Sequence, residues 1–196
     1  MTVRALRRSI AGAVLVFAVS IAPRTLAQNL VTNGNFDSNT TSWTFAGIGS
    51  VGFSGLDVAG SGSSGSALLT NSGGIMSVYI AQCVPIVGGN LYDIGAAVRI
   101  PSGGATGSAY VGYFFYNGPS CSGANSGGFT PFISTLNTWT VTSSTNVLAP
   151  ATAVSVEIAL SVSKSGATGQ IQANFDRAFV GPPGTTPVSL QRFEVE

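Results

Sequence analysis

The side chains that could act on a ligand are few, and what is missing narrows the chemistry first. The chain has no His, which removes Ser-His and Cys-His nucleophile pairs, imidazole zinc sites and the commonest general base. Asp57, Asp93 and Glu157 fall singly along the chain with no paired placement of the kind a glycosidase needs, and single carboxylates on strands are expected to be solvated. No Gly-x-Ser-x-Gly elbow or phosphate loop is present. The expectation is therefore binding, without catalysis. Tyr79, Tyr110, Tyr113, Tyr116 and Trp139 offer ring faces of the kind that stack on sugar C–H surfaces, and Gln82, Arg99, Glu157 and Gln172 could meet hydroxyls. Taken singly, each ring could equally be core. Tyr113 and Tyr116 point to opposite faces of a strand, so at most one of them can belong to a groove.

Cys83 and Cys121 are the only cysteines. A disulfide between them is the natural reading for a chain bound for an oxidising compartment, and closing a loop of this length stabilises by at most about 4 kcal/mol. Two free thiols are the alternative; a catalytic dithiol lacks its Cys-x-x-Cys. Export is expected from residues 1–27: Arg4, Arg7 and Arg8 precede an apolar run from Ser9 to Ala22, and Thr25-Leu26-Ala27 offers a cleavage site. The run is short for a membrane span, so no membrane insertion is expected after cleavage, and the protein should be secreted, extracellular or periplasmic. Removing that segment leaves four cations against seven anions, a net charge of −3. Nucleic acid is thus not an expected partner.

These residues need a frame. About 169 residues remain, one domain of 28–181 with a Pro/Gly linker and tail over 182–196. Abundant Gly, Ser, Thr and Val suit short strands and permissive turns. In Leu91 to Ile100, alternation assigns Tyr92, Ile94, Ala96, Val98 and Ile100 to the core. Residues 109–116 carry rings on both faces, with Tyr110, Gly112, Phe114 and Tyr116 on one. Val154, Val156, Ile158, Leu160 and Val162 should face inward, with Ser155, Glu157 and Ser161 outward. Gly118 to Gly128 reads as a long Gly/Ser loop, and Trp43 to Phe53 as a strand pair. Such spacing, without a helical period, predicts an all-β antiparallel β-sandwich.

Three motifs sharpen this prediction. Asn29-Leu30-Val31-Thr32-Asn33-Gly34-Asn35-Phe36-Asp37, reaching Trp43, holds a strand, a turn and two aromatic anchors. Gln82-Cys83-Val84-Pro85-Ile86 precedes Gly89-Asn90-Leu91-Tyr92, and Asn174-Phe175-Asp176-Arg177-Ala178-Phe179-Val180 lies near the end. Their order resembles the cellulose- and xylan-binding jelly-roll modules of the galactose-binding-domain-like type, over nearly all of residues 29–181. The resemblance implies a jelly roll and a polysaccharide or glycan as partner. It also implies a structural calcium site where Asp37 and Asp176 meet; Arg177, standing where a second Asp is frequent, could instead pair with either and replace the ion. A structural or adhesive surface protein, using the same sandwich without a sugar, is the other reading.

Overall fold

The computed structural model describes residues 28–74 and 76–185. The expected export signal and the tail beyond residue 185 lie outside the described residues. Among the described residues ten strands follow in order: β1 (Thr44–Ala46), β2 (Gly49–Ser54), β3 (Ser66–Asn71), β4 (Ser77–Pro85), β5 (Leu91–Arg99), β6 (Gly107–Gly118), β7 (Ser122–Phe129), β8 (Thr140–Leu148), β9 (Ser155–Lys164) and β10 (Ile171–Gly181). They form two five-stranded sheets, β1-β4-β9-β6-β7 and β2-β3-β10-β5-β8. Paired strands are antiparallel throughout. The all-β sandwich is as expected, and no helix occurs among the described residues.

The core lies between the sheets and is built by alternation. Val78, Ile80 and Val84 from β4, Val156, Ile158, Leu160 and Val162 from β9, and Val111 and Phe115 from β6 meet Ile94, Ala96 and Val98 from β5 and Phe175 from β10. Ile158 and Leu160 are fully buried. Truncating either to Ala would cost about 2–5 kcal/mol through lost burial and a residual cavity.

Several local expectations change. The opening stretch forms no strand. Leu30 N–H donates to Val180 (2.7 Å), and Ala178 N–H to Gly34 (2.8 Å), so it is laced onto β10 by single bonds. Asn33 takes positive φ (51°), while Gly34 is needed because a Cβ there would strike the Ala178 carbonyl. Phe36 is fully buried and lies 5.4 Å from the Trp43 ring. β1 and β2 do not pair with each other but go to different sheets. The expected 118–128 loop is mostly strand β7, closed by a tight turn at Pro119–Cys121. Its glycines permit close approach to β6: a Cβ on Gly127 would meet the Tyr113 carbonyl, and one on Gly128 would lie 3.1 Å from the Tyr113 ring. Val154 precedes β9 and is 44% exposed rather than core. Ser155, expected outside, is buried because its hydroxyl donates to the Gly118 carbonyl (2.7 Å) and accepts from Cys121 N–H (3.2 Å).

Candidate functional site

The outer face of the β1-β4-β9-β6-β7 sheet carries the aromatic residues that alternation placed together. Register sets them in rows across the strands. Tyr79 of β4 stands beside Ser161 of β9, which stands beside Tyr110 of β6. The next row is Ala81, Ala159, Gly112 and Phe129, and the next is Cys83, Glu157 and Phe114. Small residues thus form a floor between two rows of larger ones. The result is a cleft of about 510 Å³, with Met76 and Ser77 at one end and Glu157 in its wall. Gly112 keeps the floor low: a Cβ there would come within 3.3 Å of the Phe114 ring and 3.5 Å of Phe129.

The rings support one another. Tyr110 lies 4.3 Å from Phe132 and 5.4 Å from Phe129, the latter edge-on, and Phe114 meets Phe129 edge-on at 5.8 Å. Edge-on geometry sets positive ring edges against negative faces and resists rotation of the rings. Tyr110 is only 8% exposed and shares a 2.8 Å hydrogen bond with the Ser77 hydroxyl, so it forms the back wall. Phe129 (51% exposed) and Tyr79 (36%) are the exposed rings that line the cleft, and Phe132 packs behind them against Tyr110 and Phe129.

Glu157 is the carboxylate of the cleft, and among the described residues no Lys or Arg lines it. Burial pushes its carboxyl above the usual range. Tyr116 lies on the same face; burial raises its phenol first, then the charge of Glu157, while the Asn125 side chain opposes the rise. The Cys83–Cys121 disulfide is formed, with the Cα atoms 5.8 Å apart. Cys83 neighbours Glu157 in register and Cys121 sits in the β6–β7 turn, so the bond straps the outer face at the end that holds Glu157 and Tyr116.

Of the candidates named from sequence, Tyr79, Tyr110 and Glu157 line the cleft, and Tyr116 shares its face. Five do not join them. Gln82 is occupied with backbone: its Oε1 accepts from Thr32 N–H (2.8 Å) and its Nε2 donates to Thr32 (2.9 Å) and Ser42 (3.1 Å), tying the opening segment to β4. Tyr113 turns inward against the core. Arg99 is on β5 of the other sheet, opposite Asn174. Gln172 donates to the Thr70 hydroxyl at 3.0 Å on that same sheet. Trp139 is half-buried just before β8. Phe114 already stood on the Tyr110 face in the sequence pattern, but Phe129 and Met76 were missed. Phe129 was missed because its strand read as loop.

The carboxylates expected to share calcium behave differently. Asp37 is exposed in the opening turn. Asp176 is buried; its Oδ2 accepts from Val58 N–H (3.1 Å) and its Oδ1 from Arg177 N–H (2.6 Å). Burial pushes Asp176 up to about 6 against those bonds, and the charges acting on it are Arg177 and Asp57, not Asp37. Asp57 is buried as well, and hydrogen bonds, first from the Ser61 hydroxyl, hold it below the usual range. No three His, Cys, Asp or Glu side chains converge as metal ligands among the described residues. Asp37 is not among the charges that act on Asp176, whose two carboxylate oxygens each accept from a backbone N–H. Asp93 is not solvated either: its two oxygens accept from Asn146 and Gly184 N–H, both at 2.8 Å.

A xylan-binding domain of carbohydrate-binding module family 22 superposes over 84% of this chain and 99% of its own, with a TM-score of 0.60 and 16% identity. The fold is that of the β-sandwich carbohydrate-binding modules. TmCBM61, solved with β-1,4-galactotriose, covers 78% of this chain and 97% of its own at a TM-score of 0.52 and 13% identity. The enzymatically active domain of bacteriophage CBA120 tailspike protein 4 gives a TM-score of 0.60 and 16% identity over 78% of this chain, which spans only 21% of that one. No family model matches the sequence, and no curated protein matches it. Likeness at this identity concerns the scaffold; a module's ligand is decided by its own cleft.

Proposed function

We propose that this protein is a secreted, non-catalytic module that binds a polysaccharide or glycan in the cleft on the outer face of the β1-β4-β9-β6-β7 sheet. One observation carries the reading: exposed rings of Tyr79 and Phe129 stand on either side of a floor of Ala159 and Gly112, with Glu157 in the wall. The cleft crosses β4, β9, β6 and β7, and three strand spacings amount to about 14 Å, room for a short run of sugar rings. Flat apolar sugar faces stack on such rings, and a carboxylate accepts from hydroxyls. Binding in the named family 22 and family 61 modules supports the choice of ligand class. The export-type leader and the disulfide support secretion. The lack of His supports a non-catalytic role.

Retention of the oxidised protein on a panel of insoluble and gel-embedded polysaccharides tests this. Saturable binding is expected, weakened about tenfold or more by Tyr79→Ala or Phe129→Ala. Arg99→Ala should leave it unchanged, and Tyr113→Ala should lower the melting temperature more than the affinity. No retention on any polysaccharide would move the assignment to a structural or adhesive role.

A further inference from the structure

The hydrogen-bonding groups of the cleft are unevenly matched. Ser77 Oγ is engaged with the Tyr110 hydroxyl (2.8 Å), and Ser161 Oγ donates to the Ala159 carbonyl (3.3 Å). Phe114 and Phe129 have nothing to donate, and the Tyr79 hydroxyl can donate or accept. Glu157 remains, an acceptor whose carboxyl is shifted by burial with no cation or hydrogen bond offsetting it. Among the described residues, no Lys or Arg lines the cleft. A wall of ring faces with one underused carboxylate and few free donors is the complement of a group that is all donor, cationic and compact. An ammonium has three donors and no acceptor, and ring faces attract it through their quadrupoles.

We infer that the glycan bound here carries free amines: a de-N-acetylated amino sugar whose ammonium sits against the Glu157 carboxylate with the surrounding rings about it. This rests on the glycan reading and narrows it. An acetylated amine loses the charge, a neutral hexose offers hydroxyls that need acceptors and donors alike, and a uronic acid sets a second carboxylate against Glu157.

The test is calorimetric titration of the oxidised protein, in mildly acidic buffer, with four tetrasaccharides: glucosamine, N-acetylglucosamine, glucose and galacturonate oligomers. The glucosamine oligomer should bind about tenfold more tightly than its acetylated counterpart, and the galacturonate oligomer not at all. Glu157→Gln should bring the glucosamine affinity down to the acetylated level. Asp37→Asn, which removes an exposed charge outside the cleft, should not, so general attraction between an acidic protein and a polycation is separated from the site. Equal or tighter binding of the acetylated or glucose oligomer, or equal loss for all ligands in Glu157→Gln, would overturn the amine while leaving glycan binding in place. Absence of binding to all four overturns the amine; retention on other polysaccharides then decides whether the glycan reading survives.

Discussion

The two sheets turn comparable strands outward and treat them in opposite ways. On the β1-β4-β9-β6-β7 sheet the outward residues are rings and small side chains left open around Glu157. On the β2-β3-β10-β5-β8 sheet the outward residues include Asp93, Asn174, Asp176 and Phe179, all buried. There the chain covers its own face. The 55–65 segment lies over β10 through Val58 N–H to Asp176 and through Ser66 Oγ to the Leu56 carbonyl, with Asn174 Nδ2 donating to Ser66. The turn at Pro182 to Thr185 lies over β5 through Gly184 N–H to Asp93. Phe179 folds over Gly95, where a Cβ would stand 2.8 Å from the ring. Carboxylates on the covered face are consumed by backbone N–H groups; the one on the open face is not. A free acceptor among rings is open to a ligand, and a satisfied one serves the fold.

The largest expected effect is on the strap that closes the open face. Cys83→Ser with Cys121→Ser should cost up to about 4 kcal/mol in chemical denaturation, because the unfolded chain regains the freedom of a long loop. If the double variant keeps its full stability but loses glycan affinity, the disulfide serves the cleft more than the fold.

The covered face should reveal itself through pH. Asp176 holds its proton up to about 6, against an ordinary 3.8. Between those values the folded state keeps a proton that the unfolded chain has released. Its contribution to stability therefore falls as pH rises from about 4 to 6, by at most about 3 kcal/mol. Asp57 has the opposite sign: its lowered pKa favours folding above the carboxylate range and is lost on acidification. Denaturation midpoints measured from pH 4 to 7 should show the decline in the wild type and a flatter profile in Asp176→Asn. Identical profiles would mean that Asp176 is hydrated.

The smallest effect is expected at Asp37. Being exposed and outside the charges that act on Asp176, its change to Asn should shift stability by no more than about 0.5 kcal/mol, with calcium or with a chelator. A calcium-dependent loss in that variant would restore it as a ligand and link the opening turn to the covered face.

Alternation made much of this legible. All five residues of the Tyr92 to Ile100 set are buried, and the Tyr110, Gly112, Phe114 and Tyr116 face is the one that carries the cleft. Alternation also failed in a consistent way. Period two separates the two faces of a strand but does not say which outward face will be covered by distant chain. Asp93 therefore read as solvated when it accepts from the backbone of two distant segments, and the cover over Asp176 from Val58 could not be read at all. β7 was hidden because its glycines, chosen for close approach to the Tyr113 backbone and ring, have the composition of a flexible loop.

By itself the sequence determined the all-β sandwich and the absence of imidazole chemistry, and made a disulfide the natural state of its only two cysteines, since each follows from local pattern or from residues present or missing. Only the tertiary structure decided that Tyr79, Phe129 and Glu157 share one cleft while Gln82, Arg99 and Tyr113 do not. Those three cleft residues come from β4, β7 and β9, and their meeting depends on strand order and register, which are set by the shared core and not by any one segment.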